Sequence, residues 1–373
     1  KSAARQGIVD RVFITGVSPL TLDALTSGFN ILSDLTHDPN FETMLGFTEY
    51  EVEQLIQLIT PDKTLQQKVL QEMKEWYNGY RFCETSRQTL YNSDMVLYYL
   101  KTFQHTHTAP QRLLDPNIAP DYGKLKQMFK VVNLPKNQEV LEKVLQNGYI
   151  DAELVTIFNF ERGFNQTDFI NFLAYLGNLT IGGIDEITRR IEFVIPNKVI
   201  AKLYWQYYAE TLNEIPELKT QSKEIDEAVI AMAKYGEYKK FFDLLENVLK
   251  TLSNRDFSKF NEKYIKVVMM SYWIVSDVFE VKSEEELGGG GYADILLVRK
   301  PQVTKLHHEY VIELKYLKKA EGQELERVKS EARTQILKYY YQDKGLQSKP
   351  YLHLLVVVCV KDKLHVEEVE LSA

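Results

Sequence analysis

Three charged side chains lie on two neighbouring apolar segments of the sequence. "GYADILLV" contains Asp294, and "YVIELKY" contains Glu313 and Lys315. Alternate residues of a β-strand share one face, so Glu313 and Lys315 are expected to point the same way. If the strand that carries Asp294 pairs beside them, two carboxylates and an ammonium group converge. Mg2+ prefers such oxygen ligands, and a metal and a lysine together can activate water and stabilise developing negative charge.

The E-x-K triplet by itself is a weak signal. Further copies begin at Glu72, Glu217 and Glu280. The copy at Glu313 differs because it lies in an apolar strand and has an acid 19 residues upstream in another apolar strand. A salt-bridged strand face remains the alternative interpretation.

The pattern beyond residue 254 predicts six elements in the order αβββαβ. They are a helix at 258–275, strands at 278–283, 292–298 and 309–316, a helix at 321–341 and a strand at 351–360. The whole chain is therefore predicted to be α+β, with a helical and winged-helix-like N-terminal part before this unit. A hairpin in "LTIGGIDEITRRIEFVI" would be the wing.

Two further groups extend the candidate site. Gln335 and Tyr339 are four residues apart, so they share one face of the predicted helix that follows the E-x-K strand. A glutamine amide there could hold a phosphate or the attacking water. Glu262, upstream, could add a carboxylate to the outer shell of a metal. Each of these residues also fits an ordinary helix surface.

The segments "GYADILL", "YVIELK" and "QILKY" resemble the D, E-x-K and Q-x-x-x-Y motifs of the PD-(D/E)XK nuclease superfamily. The resemblance covers about the last 115 residues, with alanine in place of proline before Asp294. It implies phosphodiester cleavage that depends on Mg2+ or Mn2+. Asp294, Glu313 and the backbone carbonyl of Leu314 would be metal ligands, and Lys315 would lie beside the nucleophile. The expected partner is nucleic acid, DNA rather than RNA.

The N-terminal region carries a second resemblance. "FITGVSPLTLDALTSGFNI", "GFTEYEV", "WYNGYRF" and "LYNSDMVLYYL" are similar to segments of AAA-ATPase-like proteins that are fused to such nuclease domains in gut bacteria. This resemblance implies that Thr15 is a sensor near the phosphates of a nucleotide. The sequence has no G-x-x-x-x-G-K-[ST], and the glycines at 288–291 precede a strand and predict a hairpin turn. ATP binding is therefore expected only with an upstream P-loop region.

Four segments follow from these patterns. We predict an ATPase remnant with a helical lid at 1–110, a winged-helix-like module at 111–215, a helical bridge at 216–256 and the nuclease-like domain at 257–373.

Composition limits the classes of function. The 373 residues carry a net charge of −7, which argues against a uniformly basic coat for nucleic acid. No apolar run approaches the about 20 residues that a membrane span needs, so we predict a soluble cytoplasmic protein without a membrane partner. Self-association into a homo-oligomer stays open. Two functions are compatible with these data: a metal-dependent nuclease, or a non-catalytic module that binds nucleic acid or protein and is switched by an ATPase. The nuclease is our first prediction, and the acidic net charge slightly favours the second.

Overall fold

The fold is described from a computed structural model. The described residues are 13, 33–110, 112–114, 128–129, 134–156, 158, 164–287, 290–300, 303, 305–319 and 323–371. Thr15, the predicted nucleotide sensor, lies outside these residues. The chain divides into two compact units, Lys1–Tyr204 and Trp205–Ala373, and each is treated by itself below.

The described part of the N-terminal unit opens with three helices. They are α1 (Glu49–Ile59), α2 (Lys63–Tyr77) and α3 (Ser93–Thr106). Thr48 and Glu51 form a capping box at the start of α1, and side chains also cap the other two helices. The buried faces of the three helices form one apolar core, which explains the helical periodicity of this region.

The second part of this unit combines helices with a small antiparallel sheet. Its elements are α4 (Leu134–Asn147), β1 (Tyr149–Ala152), α5 (Gln166–Tyr175), β2 (Thr180–Ile184) and β3 (Ile191–Val194), and α6 (Lys198–Asn213) begins here. The strand order is β1-β3-β2, and β2 and β3 form the hairpin that the sequence predicts. The further interpretation of this region as a winged-helix module remains a prediction.

The "NGYRF" segment docks on this hairpin. The backbone N–H of Arg81 donates to Thr180 Oγ1 (2.8 Å), and the Arg81 guanidinium donates to the carbonyl of Gly182 (2.9 Å). Gly79 has a φ of +125°, and a Cβ there would overlap the backbone of Pro196. A glycine is therefore required where this loop passes the segment after β3.

The C-terminal unit begins with four helices. They are α7 (Pro216–Lys219), α8 (Ser222–Tyr235), α9 (Lys239–Asp256) and α10 (Glu262–Ser276). Within the segment predicted as a helical bridge, the helical pattern is broken at Gly236, which caps α8 with a φ of +74°. The rings of Phe241 and Trp273 stack 4.9 Å apart, so α9 packs on α10. The segment predicted as a bridge thus packs within the unit that holds the sheet.

A mixed five-stranded sheet forms the rest of this unit. Its elements are β4 (Phe279–Leu287), β5 (Gly291–Arg299), β6 (Glu309–Leu317), α11 (Glu324–Gln342), α12 (Lys344–Gln347), β7 (Leu352–Val360) and β8 (Lys363–Glu368). The strand order is β4-β5-β6-β7-β8, with β6 and β7 parallel and the other neighbours antiparallel. The structure contains the predicted αβββαβ order, together with a strand, β8, that we did not predict.

Helices lie on both faces of the sheet. Val311 of β6 shares a core with Ala332 and Ile336 of α11 on one face. On the opposite face the Tyr310 hydroxyl donates to the carbonyl of Met232 in α8 (2.8 Å). Because both faces are covered, the central strands read as nearly continuous apolar runs. Among the residues that the structure describes, no helix is both long and apolar enough to cross a membrane.

Candidate active site

The candidate site lies where β5 and β6 separate. Their ladder pairs Leu297 with Tyr310, Leu296 with Val311 and Ile295 with Ile312, and it goes no further. The next position in this register would place Asp294 opposite Glu313. Directly opposed residues of an antiparallel pair project from the same face, so the two acids project towards the same side of the gap.

Carboxylates replace the missing ladder bonds of β6. The backbone N–H of Leu314 donates to Asp294 Oδ2 (2.8 Å). Two residues on, the backbone N–H of Tyr316 donates a hydrogen bond to Glu262, the first residue of α10, and burial nonetheless raises the pKa of this acid. Both N–H groups would otherwise be unpaired, so the separation of the strands fixes Asp294 and Glu262 against β6.

Glu313 is the most deeply buried of these acids. Its exposed fraction is 0%, and it follows Val311 at the i+2 position, so it faces α11. Glu313 Oε1 accepts from Lys315 Nζ (2.6 Å), while Glu313 Oε2 has no hydrogen-bond partner among the described residues. Burial, and next the charge of Asp294, raise the pKa of Glu313 to about 7, and Lys315 opposes this shift.

Lys315 joins the carboxylates. Its Nζ lies 2.6 Å from Glu313 Oε1 and 3.7 Å from Asp294 Oδ2. Burial alone would lower the pKa of this lysine, but Glu313, Asp294 and Glu262 together raise it above the usual value. Lys315 is therefore held as a cation in the gap between β5 and β6.

Glu262 belongs to the same electrostatic group. Burial raises its pKa, the charge of Lys315 lowers it, and the charge of Asp294 raises it further. A group of three acids around one lysine carries an excess of negative charge. Such a group favours binding of a cation.

Gln335 and Tyr339 flank the group on α11. The Gln335 amide donates to the Tyr339 hydroxyl. Burial raises the pKa of Tyr339, the Gln335 hydrogen bond lowers it, and Glu313 and Asp294 raise it further, so the hydroxyl lies within range of their charges. The Tyr339 ring covers Gly291, where a Cβ would overlap it. Glycine at the start of β5 therefore allows Tyr339 to pack close to the site.

A second lysine lies nearby on α10. Lys266 is one helical turn after Glu262, and its charge lowers the pKa of that acid. Its Nζ lies 3.1 Å from Glu284 Oε1 of β4. Sequence reasoning missed both residues. The spacing of Lys266 from Glu262 is a signal for the lysine, but no local pattern singles out Glu284.

Carboxylate oxygens are the donors that this group offers to a divalent ion. Within the described ranges, no group of three or more His, Cys, Asp or Glu side chains is arranged to hold a metal. Mg2+ does not need such a cage, because it keeps several waters and commonly takes one or two carboxylates together with phosphate oxygens. Glu313 Oε2 is a buried oxygen without a partner in the ranges that the structure describes, and Asp294 lies near this acid. These two acids therefore fit Mg2+ or Mn2+.

The structure brings most of the predicted site residues together. Asp294, Glu313 and Lys315 are in contact or linked through the lysine, and Glu262 and Tyr339 lie within range of their charges. Gln335 reaches the group through Tyr339. The roles of these residues, including a ligand role for the carbonyl of Leu314, remain predictions.

Comparison with known proteins identifies the C-terminal domain. Residues 260–369 match the sequence profile of the PD-(D/E)XK nuclease superfamily, so this region is a domain of that superfamily. The match spans α10 to β8 and contains all the clustered side chains described above. No curated protein matches the chain. Nothing in the comparisons supports the predicted relation of the N-terminal region to AAA-ATPase-like proteins.

Proposed function

We propose that residues 260–369 form a Mg2+- or Mn2+-dependent nuclease that cleaves phosphodiester bonds of DNA or RNA, with DNA the preferred substrate. One observation carries the proposal. Glu313 has 0% exposure and a carboxylate oxygen with no partner in the described part of the chain, and it lies beside Asp294 and Lys315 at a break in the sheet. Burying an unsatisfied carboxylate destabilises a fold, so a structural role alone does not account for the arrangement.

In this proposal Asp294 and Glu313 hold the metal, with the carbonyl of Leu314 as a third oxygen donor and Glu262 in the outer shell. The bound ion would supply charge neutralisation at the phosphate and a lowered pKa for a coordinated water. Lys315 orients the attacking water and stabilises the negative charge that develops on the phosphate oxygens.

Tyr339 and Gln335 bind and position the substrate. Their hydrogen bond gives the pair one geometry, and the packing of Tyr339 on Gly291 fixes the ring next to the two acids. A phosphate oxygen that approaches this pair meets the remaining amide hydrogen of Gln335. The pair is therefore a positioning device for a backbone phosphate.

The test is an incubation of the protein with single- and double-stranded DNA and RNA in Mg2+ or Mn2+. The wild type should cleave at least one substrate, and EDTA should stop the reaction. Asp294→Asn and Lys315→Met should remove the activity, whereas Lys329→Met, a lysine of α11 that pairs with Glu326, should retain it. Equal cleavage by all variants would assign the products to a contaminating nuclease.

The second candidate is a non-catalytic module, which the net charge of −7 favours. Such a protein would bind nucleic acid in EDTA and cleave nothing, because phosphate contacts by lysine and arginine depend on salt and not on Mg2+. Regulation by an ATPase region, with Thr15 as nucleotide sensor, remains a prediction from the resemblance. Titration of a longer protein that includes a P-loop with ATP and Mg2+ would test it.

A further inference from the structure

The Lys266–Glu284 ion pair lies beside the three clustered acids and has no part in the proposed reaction. The two side chains differ sharply in exposure. The exposed fraction is 12% for Lys266 and 73% for Glu284. A nearly buried cation is thus satisfied by an acid that extends into solvent.

Lys266 is oriented by its helix. Residues four apart on a helix share a face, so Lys266 and Glu262 lie side by side along α10. Since Glu262 interacts with Asp294, Lys315 and Lys266, the Lys266 ammonium lies near the site.

Glu284 occupies an unusual backbone position. It lies between the paired positions Ser283–Ile295 and Glu285–Ala293 of the β4–β5 ladder, and so opposite Asp294. Its φ is +52°, in the left-handed region that a residue with a side chain rarely adopts. Backbone strain of this kind persists where surrounding contacts enforce it, and it is common at binding sites. Here it accompanies a contact with Lys266.

We propose that Lys266 binds a backbone phosphate of the nucleic-acid substrate adjacent to the scissile one, and that Glu284 occupies the lysine until that phosphate displaces it. This inference rests on the proposed function, because it places the substrate across the same site. The exposed carboxylate is a weak competitor, since solvent screens its ion pair. Lysine binds phosphate as a compact point charge, and exchange of one anion for the other keeps the buried ammonium paired throughout.

The alternative is a permanent clip between α10 and β4. A clip and an exchangeable partner make opposite predictions for Glu284. Removal of the carboxylate from a clip lowers thermal stability and leaves nucleic-acid affinity unchanged. Removal of a competitor frees the lysine and raises that affinity.

The experiment measures binding of short fluorescently labelled single- and double-stranded DNA and RNA by anisotropy, in EDTA and over a series of salt concentrations. Lys266→Met should weaken binding about tenfold and reduce the slope of log affinity against log salt by about one. The matched control is Lys329→Met. Lys329 is 17% exposed, pairs with the 65% exposed Glu326 at 2.9 Å and should give the wild-type slope.

The second variant is Glu284→Gln. The side chain of Glu284 is exposed, so this substitution should not disturb folding. It should raise affinity about threefold, because it removes the competing charge. Glu286→Gln removes one negative charge from the same strand and serves as the control. A smaller gain in affinity for this variant would show that the effect of Glu284→Gln comes from the release of Lys266 and not from the change in net charge. In a protein that already carries Lys266→Met, Glu284→Gln should raise the affinity for nucleic acid no more than Glu286→Gln does.

The outcomes separate this inference from the proposed function. Binding that responds as predicted in a protein that cleaves nothing would support the phosphate role of Lys266 and reject the nuclease. Cleavage by the wild type, with affinity and salt slope unchanged in Lys266→Met and Glu284→Gln, would reject the phosphate role alone. A wild type that binds none of the nucleic acids also overturns the inference.

Discussion

Two buried glutamates, four residues apart on β6, have opposite environments. Glu309 is 4% exposed, and Lys349 Nζ lies 2.9 Å from its Oε1 and 2.8 Å from its Oε2. The backbone N–H of Arg299 donates a further bond to Glu309 Oε1 (3.1 Å). Glu313 is 0% exposed, and only one of its two oxygens has a partner among the described residues.

The difference separates a structural ion pair from a candidate site. Both acids pair with a lysine, so burial and a cation are not sufficient to indicate chemistry. At Glu309 every oxygen is satisfied, and the group needs no ligand. At Glu313 one oxygen has no partner among the described residues, and burial and the charge of Asp294 raise the pKa to about 7, which is a reason to expect a bound cation.

The largest expected effect is on cleavage. If the proposed function holds, Asp294→Asn and Lys315→Met should each lower the rate by about a thousandfold or more, because the first would remove a metal-binding charge and the second the cation next to the reacting phosphate. Glu309→Gln should leave the rate of the folded protein within about threefold of wild type. The variants are compared by their single-turnover cleavage rates in saturating Mg2+. A loss at Glu309 as large as that at Asp294 would erase the distinction between the two ends of β6.

Glu309→Gln should instead act on stability. It breaks a buried, doubly bonded ion pair and leaves Lys349 partly desolvated, so the free energy of unfolding should fall by about 2–4 kcal/mol. Urea unfolding followed by circular dichroism measures the change. An unchanged transition midpoint would show that the Glu309–Lys349 pair is not structural.

The same substitution at Glu313 should stabilise the fold instead of destabilising it. Glutamine cannot ionise, so at pH 8 without metal Glu313→Gln should raise the free energy of unfolding by about 1–3 kcal/mol. The pKa of Glu313 in the folded protein lies above the ordinary 4.5. Protonation of Glu313 therefore stabilises the fold fully below about pH 4.5, and this stabilisation is lost as the pH rises to about 7. The advantage of the variant should therefore vanish near pH 4. Urea titrations at both pH values test the sign.

The smallest expected effect is the coupling of metal binding to pH. In the proposed site a divalent ion needs ionised Glu313, so its binding below about pH 7 should release up to one proton. The affinity for the ion should then rise by at most about tenfold for each unit by which the pH increases. Calorimetry in buffers of different ionisation enthalpy counts that proton. Glu313→Gln should lose this pH-dependent binding, and Glu309→Gln should release as many protons as wild type.

Local pattern was sufficient for much of the fold. The predicted helices and strands of the C-terminal domain are present within a few residues, because its central strands are apolar and its helices are periodic. The sequence missed β8, whose residues are mostly half-buried and give a weak apolar signal. It also missed the break at Gly236, since the amphipathic pattern continues on both sides of the glycine.

The sequence by itself determined which side chains were candidates: an acid on one strand, the E-x-K triplet on the next, and the Gln335–Tyr339 pair on a helix. Only the tertiary structure decided how their charges interact. The approach of Glu262, the burial of Glu313 and the contact between Lys266 and Glu284 depend on where β5 leaves β6 and where α10 begins relative to the sheet. Periodicity assigns a residue to a face. Burial, hydrogen-bond satisfaction and pKa arise from residues far apart in the chain, so no local spacing encodes them.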